Sequence, residues 1–138
     1  MSTPFARQLS IITLVFVALT TALPAQIFDG GVELSVNGAS GEVVVFGGSN
    51  LSIQAGSGVA EQTKIFLVAS IATAEGGLSP ESLVLLAEQS VPAFGRLNLE
   101  FTVPDEVAAV RVAIQAFALT ENGQILASPV QLVKFTSL

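Results

Sequence analysis

The chain has 138 residues, eleven of them acidic and five basic, for a formal charge of −6, and half of its residues are hydrophobic. It contains no Cys, His, Trp or Tyr, which excludes disulfides, thiol catalysis and thiolate metal sites, and removes the commonest general base and metal ligand. So few Lys and Arg among so many acids also argue against a nucleic-acid partner, because phosphate binding depends on clustered basic groups.

The chain opens on Met1 to Arg7, with one positive charge and no acid, and then the apolar run Ile11 to Leu19. That order, closed by Thr20-Thr21-Ala22-Leu23-Pro24-Ala25, is the pattern of a cleavable secretory signal. Cleavage is expected after Ala25, with Ala22 as the fallback because Leu23 is bulky for its place. The run is well short of the roughly 20 residues that span a bilayer, and no lipid-accepting Cys follows it. The expectation is therefore a secreted bacterial product, periplasmic or extracellular, with no stable membrane insertion after cleavage. Residues 26–138 would form one domain, with four basic residues against eleven acids and so a formal charge of −7. That length suffices for a core held by packing alone.

Turn clusters then divide the chain: Asp29-Gly30-Gly31, Asn37-Gly38, Gly47 to Asn50, Gly56-Ser57-Gly58, Gly76-Gly77, Pro92 to Gly95, Pro104-Asp105 and Asn122-Gly123. Spacings of roughly 8–12 residues between turn signals are those of a β-sandwich or barrel. Val32 to Val36 and Leu51 to Ala55 alternate apolar with polar, and Leu97 to Val103 does so without a fault, as strands with one wet face should. Glu42 to Phe46, Thr63 to Ile71 and Ser82 to Glu88 are more uniformly apolar and also read as strands. Ser79-Pro80-Glu81 could instead open a short helix, with Ser as cap and Pro at its first position. Asp105 to Ala109 reads as a single helical turn leading into a strand from Val110 to Thr120. Asn122-Gly123 then suits a two-residue hairpin turn. The returning strand, Ile125 to Phe135, carries Pro129, which cannot donate to a ladder and marks an edge or bulged strand.

The C-terminal half, Phe94-Gly95-Arg96-Leu97-Asn98-Leu99 into Val103-Pro104, then Val112 to Ala116, Gly123 and Ala127-Ser128-Pro129, resembles short secreted β-sandwich proteins of planctomycete-type bacteria. Gly48 to Gly58 and Lys64 to Ser70 extend the likeness over about two thirds of the chain. The aromatic that often precedes the family's Gln is missing before Gln115. The resemblance implies a sandwich fold and export, and no established activity.

Few constellations offer chemistry. Asp29, Asp105-Glu106 and Glu121-Asn122 are candidates for calcium, which needs several clustered oxygens, but none matches a known calcium loop, and solvated turn acids are the plainer reading. Paired carboxylates could cleave glycosides, yet only Phe could supply an aromatic platform. No Ser sits in the glycine pattern of a nucleophile elbow, and the glycine-rich Gly47-Gly48 and Gly56 to Gly58 precede strands, where a phosphate cradle would need a helix. No enzyme, no metal and no cofactor are expected.

One pattern points to a surface. Ile65, Leu67, Ala69 and Ile71 share one face of their strand, which turns Phe66 and Val68 to the other. Likewise Val110 to Ala118 puts alternate residues on one face and Phe117 and Leu119 on the other. With both strands in one sheet, Phe66, Val68, Phe117 and Leu119 either form an outward contact patch or lie beneath a covering loop such as Ser79 to Glu88. The expected fold is a single antiparallel β-sandwich of seven or eight strands, immunoglobulin-like in outline without the Cys pair or Trp. The expected function is a non-catalytic structural or protein-interaction domain, binding itself or another exported protein; the alternative is a module for a glycan or cation.

Overall fold

The computed structural model describes residues 27–137; the segment expected to be a secretory signal, residues 1–25, lies outside them. The described chain is an all-β sandwich of two unequal sheets. Its strands are β1 (Ile27–Asp29), β2 (Val32–Val36), β3 (Val43–Phe46), β4 (Asn50–Ser57), β5 (Thr63–Ile71), β6 (Val84–Val91), β7 (Arg96–Thr102), β8 (Val110–Thr120), β9 (Ile125–Ala127) and β10 (Gln131–Thr136). The smaller sheet runs β2-β4-β7 and is antiparallel throughout. In the larger sheet β5 joins β6 to β8, and the far side of β8 is shared. There β9 pairs with residues 117–119 and β10 with residues 110–114. Beyond them, β1 lies parallel to β9 and β3 parallel to β10.

The alternating pattern seen in the sequence sets which side chains meet between the sheets. Ile53 and Leu97 of the small sheet face Ile65, Leu67, Ile114 and Val133 of the large one, all fully or nearly fully buried. Ten strands stand where seven or eight were expected, because Ile27–Asp29 forms a short strand ahead of the first expected one and the last strand is broken. The break falls at Ser128-Pro129, where proline removes a ladder donor. It does not lie at a sheet edge, since β9 and β10 are each flanked on both sides.

That break is stitched by side chains. The Ala116 N–H donates to the Ser128 hydroxyl (3.0 Å), the Ser128 hydroxyl donates to the Pro129 carbonyl (2.9 Å), and the Gln115 amide donates to the Ser128 carbonyl (2.8 Å).

Three local expectations are corrected. Asp105 to Ala109 forms no helical turn, because the Val103 and Pro104 carbonyls already accept the Gly48 N–H (3.0 and 3.2 Å). The β8–β9 connection is a three-residue loop, Glu121-Asn122-Gly123. The Gly123 N–H donates to the Thr120 carbonyl (3.0 Å), and Gly123 alone of the three has positive φ, the usual three-residue hairpin form. The two-residue type occurs instead at Asn37-Gly38, where φ is 51° and 78° and Val36 and Ala39 exchange both backbone hydrogen bonds. Pro80–Ser82 is a single 3₁₀ turn with no side-chain cap, and the strand after it starts at Val84.

Candidate functional site

Phe66 and Phe117 stand directly opposite each other on β5 and β8, and Val68 faces Gln115. The face assignment read from the sequence therefore holds, but the face is not open. Phe66 is 4% exposed and Phe117 0%, Val68 is buried and Leu119 is half-buried. They form a second core with Ile125 and Ala127, against which Leu78, Leu83 and Leu85 pack. Of the two readings of these four residues, the outward contact patch is corrected and the covering segment holds, so that β5 and β8 are buried on both faces.

The cover is a strap, residues 72–83, held by a polar latch. The Ser79 N–H donates to the Ser70 hydroxyl (2.7 Å) and the Ile71 N–H to the Ser82 hydroxyl (3.0 Å). Within the strap the Gly77 N–H donates to the Thr73 hydroxyl (2.9 Å), and the Ser79 hydroxyl donates to Glu81 (2.6 Å). That last bond holds the exposed Glu81 carboxyl below its ordinary range. Beside the strap, Lys64 pairs with Glu88 at 2.7 Å.

The opening of the molecule lies elsewhere, at one end of the gap between the sheets. The smaller sheet ends at β7 and the larger at β6, and between these edges is a cleft of about 540 Å³. Leu51 and Ile53 form its wall on the small sheet, Ala69, Val112 and Ile114 its wall on the large one, with Phe135 beside them. Pro104 and Val107 close one side. A bulge shapes the other: Leu67 pairs with Ala87 but Val68 with Leu85, so Leu86 is an extra residue in β6. Bulges re-aim side chains, and here Leu86 and Ala87 in succession pack toward the inner core.

Three large apolar residues at this opening remain accessible: Ile71 at 55%, Val84 at 51% and Phe101 at 41%. The side-chain hydroxyls of the wall each have a hydrogen-bond partner. The hydroxyls of Ser70 and Ser82 belong to the strap latch, and the Thr102 hydroxyl donates to Asn50 (3.4 Å). No lining residue is charged. Sequence alternation did not reveal the cleft, because it assigns faces and says nothing of where one sheet outruns the other; the uniformly apolar Val84-Leu85-Leu86 was its only local trace.

A second depression, about 420 Å³, lies over the small sheet and includes Glu33, Gln54, Gly56 and Arg96. No aromatic ring lines it. The acidic candidates are dispersed: Asp29 lies opposite Ala127 in β1, Asp105 beside the Gly47-Gly48 turn, and Glu121 in the β8–β9 loop. Among the described residues no three acids gather closely enough to hold a metal ion.

The sheets, their strand order and their mutual packing define the β-sandwich class with an immunoglobulin-like outline. Among solved structures, the chain is similar to one in the structure of T cell specificity and activation by the bacterial superantigen toxic shock syndrome toxin-1 (TM-score 0.52, 13% identity, 77% of this chain and 100% of that one). It is also similar to the human F-spondin reeler domain (TM-score 0.51, 10% identity, 81% of this chain and 95% of that one). The fibronectin(III)-like modules of CbhA from Clostridium thermocellum are matched at a TM-score of 0.46 and 14% identity, over 76% of this chain and 97% of that one. At these identities the likeness concerns the fold alone. No family model matches the sequence, and no curated protein is detectably similar to it in sequence.

Proposed function

We propose that the chain is an exported, non-catalytic interaction module and that the inter-sheet cleft is the surface through which it works. The observation that carries this reading is the opening itself: Ile71, Val84 and Phe101 stay accessible around an apolar recess, while the rest of the large apolar surface on β5 and β8 is covered by a strap. An accessible apolar recess of this kind is a common mark of a binding site. The leader-like sequence supports export, and His, Cys and Tyr, common acid–base and nucleophilic side chains, are missing from the chain.

The test is affinity capture from the producing cell's envelope fraction, with the mature domain and its Ile71→Asp, Val84→Asp variant side by side. A molecule retained by the first and lost by the second is the expected result; equal retention would show that the cleft is not the working surface. The glycan or cation alternative has less support, since the polar depression lacks an aromatic ring and the turn acids are apart. Accordingly, calcium and a chelator should leave the thermal midpoint unchanged.

A further inference from the structure

Resting on that reading, we propose that the cleft takes a single aliphatic chain whose head is uncharged or cationic. Its volume of about 540 Å³ lies inside the roughly 300–1,000 Å³ of small-molecule sites. Its lining runs from accessible Ile71 and Val84 to the buried Ile53 and Ile114, a continuous apolar path along which an aliphatic chain can lie.

The side chains of the wall offer little to a polar ligand. The Ser70, Ser82 and Thr102 hydroxyls already have partners, so an occupant with its own donors or acceptors would leave them unpaired at a cost. An aliphatic chain brings none, and gains from each methylene it removes from water.

The charges beside the opening choose the head. Glu81 precedes the lining residue Ser82, and Asp105-Glu106 lie between the lining residues Pro104 and Val107; all three acids are exposed. The nearest bases face away. Arg111 alternates with the inward Val110 and Val112 and is engaged by Glu42 (3.2 Å), and Lys134 lies opposite Arg111 on that same outer face. An anionic head would meet like charge there, and a cationic one would be favoured, more so at low salt.

The experiment uses the folded mature domain and the uncharged dye phenylnaphthylamine, whose emission rises in apolar surroundings; the chain's lack of Trp and Tyr keeps the background low. Saturable binding at one site is expected. Decanol and decyltrimethylammonium should displace the dye, with decanoate several-fold weaker. Ala69→Leu, which fills the recess, should abolish binding, and Ile71→Asp with Val84→Asp should weaken it about tenfold. If Ala69→Leu fails to fold, the second variant decides, because both of its positions are exposed.

Absence of saturable binding, or displacement by decanoate as strong as by decyltrimethylammonium, overturns the proposal. If the dye does not bind but the Ile71→Asp, Val84→Asp variant loses a captured protein or a self-association seen by light scattering, the occupant is a polypeptide. The aliphatic ligand then falls while the cleft remains the working surface. If neither dye nor capture distinguishes the variant, both readings fall together.

Discussion

Ser128 shows how much one hydroxyl can hold in this fold. It accepts the Ala116 N–H and donates to the Pro129 carbonyl at the point where proline interrupts the last strand. Removing it leaves a buried amide without its side-chain acceptor, so Ser128→Ala should lower stability in urea melts by about 1–3 kcal/mol. Gly47 is constrained by space: a Cβ there would lie 2.3 Å from the Asp105 carbonyl oxygen. Gly47→Ala should therefore destabilise by about 2 kcal/mol or more, whereas added bulk at Gly38 meets nothing, and Gly38→Ala bears only the strain of its positive φ. Phe66 and Phe117 carry the opposite lesson. Their side of the sheet was legible from alternation, but the choice between an open patch and a covered one was not, since the residues that cover them come from an irregular segment with no periodicity to read. Phe117→Ser should consequently act as a core substitution, costing about 3–5 kcal/mol in a denaturant titration.

At the level of elements, the strands were legible wherever one face is wet. Arg96–Thr102 and Asn50–Ser57 follow the alternation closely, and their partners fall in register across β4 and β7. Legibility failed where hydrogen bonds from distant segments decided the backbone, as when the Gly47-Gly48 turn took the carbonyls that a helix at Asp105 would have used. It failed also at β6, whose bulge depends on register with β5 and leaves only an apolar run in the sequence. The strap joins these two cases: an irregular segment latched by Ser70 and Ser82, with Leu78 and Leu83 reaching the second core. Replacing both leucines by serine should uncover Phe66 and Phe117 without dismantling the inner core. The expected outcome is increased binding of the dye anilinonaphthalene sulfonate and association in light scattering, with the far-ultraviolet spectrum little changed.

For the molecule as a whole, two sheets of unequal width give both the core and the cleft. The small sheet covers only part of the inner face of the large one, and the uncovered part near β5 and β6 becomes the recess. The sandwich class followed from turn spacing, but the recess is a property of relative width and could be found only once the sheets were assembled.

The parallel pairs have a consequence for assembly. β1 and β3, early in the described chain, complete the large sheet only by lying along β9 and β10, the last two strands. Closing such distant contacts is slow, because the loop entropy must be surrendered before the pairing rewards it. A chain emerging from its amino end could not finish this sheet until nearly all of it had appeared, so a version truncated after Val130 should show no cooperative thermal transition. The same connectivity would leave a nascent chain unfolded until its last strands are free, a property that suits the export proposed above.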